Sequence, residues 1–216
     1  MRGAAEREPV QGTTLMNLGG KRKYGAIYAD LPWYFRNWSA KGTGRNSVSH
    51  YDCMDFQAMM RLPVQELAAD DCVLFLWATD PLLPKALELI ASWGFEYKTV
   101  GFYWVKQNKA GEGFFTGLGY WTRANPEQCL LATRGKPGRL AKDVRRLVIA
   151  PRREHSRKPD QVRERIERLV PGPYLELFAR ETKPGWECWG NQAGLFDRET
   201  ASTRRQPSRR AYGVGT

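Results

Sequence analysis

The sequence predicts an α/β fold, a mostly parallel sheet flanked by helices, from two features of its apolar pattern. Strand-like apolar segments alternate along the chain with segments of helical periodicity. Several strand segments lack apolar–polar alternation, which is typical of strands buried on both faces. The 216 residues suit one domain with a sizeable core. We expect this domain over residues 22–197, with an N-terminal extension over 1–21 and a basic, disordered tail over 198–216.

Six segments are predicted to form strands. They are YGAIYA (24–29), CVLFLW (72–77), YKTVGFYWV (97–105), EQCLLAT (127–133), LVIA (147–150) and YLELFA (174–179). In parallel α/β sheets, ligands bind beyond the carboxyl ends of the strands. Asp30, Asp80 and Arg180 each follow a predicted strand, so we expect all three along one edge of the sheet.

Three helical regions are predicted between the strands. Asp55 is expected to cap the first, which Pro63 interrupts. Asp80 is expected to cap the second, which Gly94 closes. The third begins after Pro159 and places apolar residues at helical spacing on one face.

The formal net charge of +11 favours a polyanionic partner, nucleic acid first among them. Residues 134–158 hold ten Lys and Arg against two acids, so the positive charge is concentrated. A merely solvated basic surface is the alternative interpretation of this pattern. No apolar segment approaches the roughly 20 residues of a membrane span. The first twelve residues lack the apolar core of a secretory signal, so a cytoplasmic location is expected.

Two long segments, 33–51 and 108–126, combine aromatic residues, glycines and basic residues. Long ordered loops in a compact domain are usually functional. Aromatic side chains between Lys and Arg fit base stacking beside phosphate contacts. An equally weighted alternative is that these aromatic residues only extend the core.

Several chemistries have no matching motif in this chain. The two histidines and four cysteines show no metal-binding spacing, so no metal and no disulfide are expected. The GxSxG, GxxxxGK[ST] and GxGxxG signatures are also missing. The chemistry that remains is the transfer of a group onto a polar nitrogen, with a carboxylate at the centre of the site.

The segment AIYADLPWYF (26–35) suggests how such a transfer would work. The exocyclic amine of adenine is a weak nucleophile, and an acceptor on each N–H would stabilise its developing positive charge. Asp30 provides one acceptor, and the carbonyl of Leu31 provides a second because Pro32 fixes the turn. Trp33 would stack on the base. The base must leave any duplex to enter such a site.

Six motifs, in this order along the chain, resemble one known family. They are DLPW, LFLWATDP, FYWVKQN, GYWTRANPEQCLLATRG, REHSRKPDQV and LELFAR followed by GWECWGNQ. Together they resemble the adenine N6-methyltransferases related to the catalytic subunit of the eukaryotic mRNA methyltransferase and its bacterial and phage relatives. The resemblance covers about residues 22–196. It implies a Rossmann-like methyltransferase fold, S-adenosylmethionine as cofactor, and a catalytic motif that precedes the cofactor motifs.

The resemblance assigns the catalytic role to Asp30, Leu31, Pro32 and Trp33, which match the family's Asp-Pro-Pro-Trp. Leu31 departs from the family proline but keeps the backbone carbonyl on which the role depends. Tyr51 and Glu127 match positions beside the acceptor adenosine, which makes them substrate-binding candidates. Without the resemblance, Glu127 is equally well interpreted as an exposed charge at the start of a strand.

Five further positions are assigned to the cofactor by the same resemblance. They are Lys158, His155, Arg180, Asn191 and Gln192. Lys158 precedes a helix start, where anions are favoured, and would approach the carboxylate of the cofactor. LELFAR replaces the glycine-rich turn of common methyltransferases, so cofactor contacts would depend more on side chains.

The sequence therefore predicts methyl transfer from S-adenosylmethionine to the N6 amine of adenine in DNA. Two alternatives stay open: the same reaction on RNA, and a catalytically inactive nucleic-acid-binding subunit, for which Leu31 is the best support. A homodimer or a partner subunit is a further possibility.

Overall fold

The computed structural model describes residues 22–33, 54–154, 157–190, 193–194 and 197. The predicted N-terminal extension and basic tail lie outside these residues. Seven strands form one sheet in the order β5-β3-β4-β2-β1-β6-β7. They are β1 Tyr24–Ala29, β2 Ala68–Ala78, β3 Glu96–Gln107, β4 Glu127–Arg134, β5 Leu147–Pro151, β6 Tyr174–Leu177 and β7 Trp186–Trp189.

The sheet is mostly parallel, as predicted. β1 pairs in parallel with β2 and β6, β6 with β7, and β3 with β5. β4 is antiparallel to both of its neighbours, β2 and β3, so it runs against the other six described strands. This direction follows from the chain path, because β3 and β4 are joined directly by residues 108–126 and not by a crossover helix.

Helices cover both faces of the sheet. They are α1 Phe56–Met60, α2 Val64–Leu67, α3 Leu83–Ser92 and α4 Asp160–Leu169. On one face, Leu89 and Ile90 of α3 join a buried cluster with residues of β1, β2 and β4. On the other face, Val162 and Ile166 of α4 pack against a second cluster that contains Trp104. None of the described helices has the length and apolar character needed to cross a membrane.

The six predicted strands are confirmed, and one further strand is present. β2 begins at Ala68, four residues earlier than predicted. β6 ends at Leu177, two residues earlier than predicted, because Phe178 adopts a φ of 61° and leaves the extended conformation. β7 was not predicted, since its short sequence WECW carries a glutamate and lies at the edge of the sheet. Two buried tryptophans around a glutamate and a cysteine form a segment too short to show a strand period.

Two helix caps are confirmed and one is wrong. Asp55 accepts a hydrogen bond from the amide of Ala58, 3.3 Å away, as an N-cap residue does. Gly94 follows α3 with a φ of 77°. Asp80, however, lies in a short 3-10 turn (Asp80–Leu82), and its side chain accepts a hydrogen bond from Gln128 Nε2 instead of capping the helix.

The pairing register places several chain segments at one edge of the sheet. β1, β2, β3, β5, β6 and β7 end there, and antiparallel β4 begins there, with Gln128 opposite Ala78. We call this the carboxyl edge. The basic segment 134–158 is divided by β5. Arg134 lies opposite Cys72 at the other edge, whereas residues 152–154 and 157–158 follow β5 at the carboxyl edge.

Candidate active site

Asp30, Lys158 and Arg180 meet at the carboxyl edge. Lys158 Nζ lies 2.8 Å from Asp30 Oδ1, and Arg180 Nη2 lies 2.8 Å from Asp30 Oδ2. The side chains of all three are at least 85% buried, with exposed fractions of 15% for Asp30, 11% for Lys158 and 14% for Arg180. Charged groups are rarely buried this far unless they are paired. The predicted proximity of Asp30 and Arg180 is therefore confirmed.

Glu127 extends this cluster from the start of β4. Its carboxylate lies 3.2 Å from Lys158 Nζ and also accepts a hydrogen bond from Lys106. Burial alone would raise the pKa of Glu127, but the charges of Lys158 and Lys106 outweigh it and lower the pKa to about 2. Burial lowers the pKa of Lys158, yet Asp30 and Glu127 together raise it above its ordinary value. Glu127 is ionised and Lys158 is charged at neutral pH.

Lys158 is held in place from two sides. Its Nζ lies 5.3 Å from the centre of the Trp77 ring, within range of a cation–π interaction. Arg153 donates a hydrogen bond to the Lys158 carbonyl and pairs with Asp160 at 2.9 Å. Trp77 is itself fixed, because its Nε1 donates to the hydroxyl of Tyr28 at 2.7 Å. The position of the ammonium group is thus determined by buried neighbours.

A second ionic network lies beside the first, between α4 and β6. Arg163 Nη1 lies 3.0 Å from Glu176 Oε2, and Arg163 Nη2 also donates to Glu181. Arg157 donates to the other oxygen of Glu181. Burial raises the pKa of Glu176 to about 7, against the opposing charge of Arg163. The contact with Arg163 shows that Glu176 points towards α4.

The turn after β1 buries the Leu31 side chain and uses the Leu31 carbonyl within the turn. The side chain of Leu31 is buried in the core, with 3% exposed. Its carbonyl oxygen accepts a hydrogen bond from the amide of Trp33 at 2.9 Å. A carbonyl oxygen has a second lone pair, so it can still accept from a substrate. The carbonyl oxygen of Pro32 also accepts a hydrogen bond, from the amide of Met54 at 3.2 Å.

Trp33 is also largely buried, with 8% exposed, and donates from Nε1 to the carbonyl of Trp77 at 3.0 Å. It lines a cavity of about 290 Å³ together with residues of α1 and α3. That volume is close to the lower limit for small-molecule pockets. Asp30 does not line this cavity. Stacking of Trp33 on a base remains a prediction.

Asp30 lines a much smaller cavity of about 20 Å³, on the α4 side of the sheet. Its other lining residues include Tyr28, Lys158, Glu176 and Arg180. Such a volume accommodates about one water molecule. A larger ligand would enter only after the paired side chains separate. Because the lining is charged and contains Asp30, we consider this cavity, and not the larger one, the chemical centre.

The predicted site residues divide into two sets. The structure brings Asp30, Glu127, Lys158 and Arg180 into one cluster and places Leu31, Pro32 and Trp33 in the adjoining turn. Tyr51, His155, Asn191 and Gln192 lie outside the described residues. Among those described, no group of His, Cys, Asp and Glu could hold a metal ion.

Sequence reasoning missed four contributors to the site. They are Lys106, Arg157, Arg163 and Glu181. Lys106 stands inside the FYWVKQN motif, so that motif carried a usable signal. Arg163 lies next to Val162 in the buried face of α4, where an unexpected charge indicates a buried partner. Nothing in the sequence pattern marks Glu181.

The chain matches known proteins over most of its length. The MT-A70 family model matches residues 24–192. The chain is 35% identical over 188 residues to the type II methyltransferase M.MunI of Mycoplasma sp, an alignment that covers 79% of this chain and 78% of that protein.

Two eukaryotic relatives are matched over a smaller share of their length. The N(6)-adenine-specific methyltransferase METTL4 of Mus musculus is 33% identical over 198 residues, 84% of this chain and 40% of METTL4. The N(6)-adenosine-methyltransferase catalytic subunit METTL3 of Homo sapiens is 31% identical over 175 residues, 79% of this chain and 28% of METTL3. Because the family model matches residues 24–192, more than half of the chain, the chain belongs to the MT-A70 family, a methyltransferase family.

Proposed function

We propose that this protein transfers a methyl group from S-adenosylmethionine to the N6 amine of adenine in DNA. The observation that carries the proposal is the position of Asp30. In a member of a methyltransferase family, this carboxylate lies at the carboxyl edge of the sheet between two cations, Lys158 and Arg180. Ligands of parallel α/β sheets bind at that edge.

The residues present fit the proposed cofactor. Lys158 and Arg180 converge on one carboxylate, that of Asp30, so their spacing suits the carboxylate of a methionine group as well. Glu176 and Glu181, which line the same cavity, are acceptors suited to hydroxyl groups. When bound, S-adenosylmethionine supplies the electrophilic methyl group.

Asp30 would act on the amine of the substrate. A carboxylate that paired with Lys158 and Arg180 would free the oxygens of Asp30, which could then accept a hydrogen bond from the N6 amine. As the bond between N6 and the methyl carbon formed, the bond between that carbon and the sulfonium sulfur would break and its electron pair would stay on sulfur as a neutral thioether. The nitrogen would become positively charged and its hydrogen acidic. Asp30 stabilises that charge and takes the proton, which leaves a neutral methylated amine.

Leu31 and Glu127 would complete the surroundings of the amine. The second lone pair of the Leu31 carbonyl can accept the other N–H of the amine. Glu127 keeps Lys158 charged and close to Asp30, because it lies 3.2 Å from the same ammonium group. Water is restricted at this point, since the exposed fractions of Lys158 and Glu127 are 11% and 16%. Hydrogen bonds to charged groups are stronger in such surroundings.

We propose DNA as the substrate because of the share of each relative's length that this chain matches. The chain spans 78% of the bacterial type II methyltransferase but only 40% and 28% of the two eukaryotic relatives. The eukaryotic relative named for adenosine methylation thus has large regions that this chain does not match. RNA is the second candidate substrate, favoured by the likeness to that relative.

The test is to incubate the protein with S-adenosylmethionine carrying a labelled methyl group and with DNA or RNA of the same sequence, and to analyse the digested nucleosides by mass spectrometry. We expect labelled N6-methyladenine in DNA. Label in RNA alone would support the second candidate, and cofactor binding without label in either would support an inactive subunit. Asp30→Ala should abolish the label, whereas Glu88→Ala, which removes an exposed carboxylate of α3, should not.

A further inference from the structure

We propose that Trp121 is a base-stacking residue, which holds the DNA strand next to the target adenine. This inference rests on the proposed function and names a contact surface for its substrate. The surface is the loop of residues 108–126, which joins β3 to β4; we call it the aromatic loop.

The aromatic loop presents rings to solvent to an unusual degree. Trp121 is 99% exposed, Phe114 is 62% exposed and Tyr120 is 49% exposed. The other described tryptophans are all at most 8% exposed, namely Trp33, Trp77, Trp93, Trp104, Trp186 and Trp189. Burial of an indole ring is strongly favourable, so a fully exposed one indicates a surface that contacts another molecule.

The loop is built to hold Trp121 in this position. Asn125 binds both the amide and the carbonyl of Lys106, at 3.0 Å and 2.9 Å, which closes the base of the loop. The amide of Gly117 donates to the carbonyl of Ala124 at 2.7 Å, which closes the part that carries Trp121. A Cβ atom at Gly119 would lie 1.9 Å from the carbonyl oxygen of Thr122, so this tight turn requires glycine.

The location connects the loop to the chemical centre. The loop leaves β3 and enters β4 at the carboxyl edge, where Asp30 lies. Lys106, to which the base of the loop is bound, pairs with Glu127, and Glu127 pairs with Lys158. A strand whose adenine reached Asp30 would lie at the same edge of the sheet as the base of the aromatic loop.

Charge favours nucleic acid over a second copy of this chain. The loop carries exposed Lys109 and Arg123 against one exposed acid, Glu112. Arg152, which follows β5, places its guanidinium carbon 3.8 Å from the centre of the Phe115 ring and adds positive charge at its base. A second copy would bring the same net charge of +11, which opposes self-association. Exposed rings between cations are suited to stacked bases and phosphates.

The experiment measures binding of a fluorescein-labelled, adenine-containing single-stranded DNA by anisotropy, with no cofactor present. Trp121→Ala should weaken binding about fivefold or more, which is the loss expected for one stacked base. Trp121→Phe should stay within about threefold of the wild type, because a phenyl ring can still stack. Leu118→Ala is the matched control: it removes an apolar side chain of the same loop, 61% exposed, that cannot stack as a ring does.

Equal affinity of Trp121→Ala and the wild type would overturn the inference. So would an equal loss in Leu118→Ala, since that result indicates general apolar docking. The inference would also be overturned if the wild type sedimented as a dimer and Trp121→Ala as a monomer, with equal DNA affinity. That result would indicate that Trp121 belongs to a protein interface. A methyl-transfer assay on the wild type separates this inference from the proposed function, because DNA binding is measured here without the cofactor and does not depend on turnover. Loss of DNA binding in Trp121→Ala together with no methylation by the wild type would refute the function and leave the stacking role standing.

Discussion

Lys158 Nζ lies 2.8 Å from Asp30 Oδ1, although the two residues are 128 positions apart in the chain. The pair joins the segment after β5 to the turn after β1. It holds a carboxylate and an ammonium group at the place where the proposed reaction needs one anion for the amine and one cation for the cofactor. In the proposed reaction, the same contact occupies Asp30 until a competing anion reaches Lys158.

Lys158→Ala should weaken binding of S-adenosylmethionine about tenfold or more, because a hydrogen bond between two charged groups contributes roughly 1.5–3 kcal/mol. Isothermal titration calorimetry measures the dissociation constant directly. Lys98→Ala is the matched control, since Lys98 is an exposed lysine of β3 that pairs only with its near neighbour Glu96 among the contacts of the described residues. An unchanged dissociation constant for Lys158→Ala would exclude its proposed role.

Leu31→Ala tests whether position 31 acts through its backbone. Removal of the buried side chain should lower the free energy of unfolding by about 2–5 kcal/mol. The carbonyl oxygen remains, so methyl transfer per folded molecule should be unchanged at a temperature where the variant is folded. Urea unfolding and a turnover assay on the same sample measure both quantities. Turnover that falls about tenfold in the folded variant would contradict the backbone role.

Glu127 should make the free energy of unfolding depend on pH in acidic solution. Its pKa of about 2 in the folded protein lies below its ordinary 4.5, so the unfolded chain binds more protons between these values. The stabilisation is complete above about pH 4.5 and is lost as the pH falls towards 2. Its size is on the order of 3 kcal/mol, because one pKa unit corresponds to about 1.4 kcal/mol.

Glu127→Gln should therefore be less stable than the wild type at neutral pH and should lose less stability on acidification. Urea unfolding at a series of pH values checks both statements. Glu96→Gln is the control, because the Glu96 side chain is 77% exposed and its pairing with Lys98 is screened by solvent. Parallel pH profiles for Glu127→Gln and the wild type would show that Glu127 carries no such linkage.

The sequence was sufficient to predict those parts of the site whose position follows from the direction of a strand. Asp30 and Arg180 follow strands that pair in parallel, β1 and β6, and parallel strands bring their carboxyl ends together. Glu127 was assigned by resemblance alone. Its place at this edge depends on the reversed direction of β4, and an apolar segment reads the same in either direction.

The remaining parts depend on packing that no local pattern records. Asp80 has the sequence signature of a helix cap, but Gln128 of β4 competes for its side chain at 2.9 Å. The hydrogen bond between Trp33 and the Leu31 carbonyl depends on how the turn folds back. The ionic network of Arg163 forms only when α4 packs on β6, so composition could not reveal it.

Arg163→Met should lower the free energy of unfolding by about 3–5 kcal/mol, since it leaves Glu176 without its buried ion-pair partner and removes one of the partners of Glu181. Arg163→Lys should recover only part of the loss, because one ammonium group cannot serve both carboxylates as a planar guanidinium does. Urea unfolding at neutral pH measures these changes. Arg168→Met on the same helix should change stability by less than about 1 kcal/mol, because Arg168 and its partner Asp143 are 59% and 68% exposed. Equal losses in the two methionine variants would show that the buried network contributes no more than a surface pair.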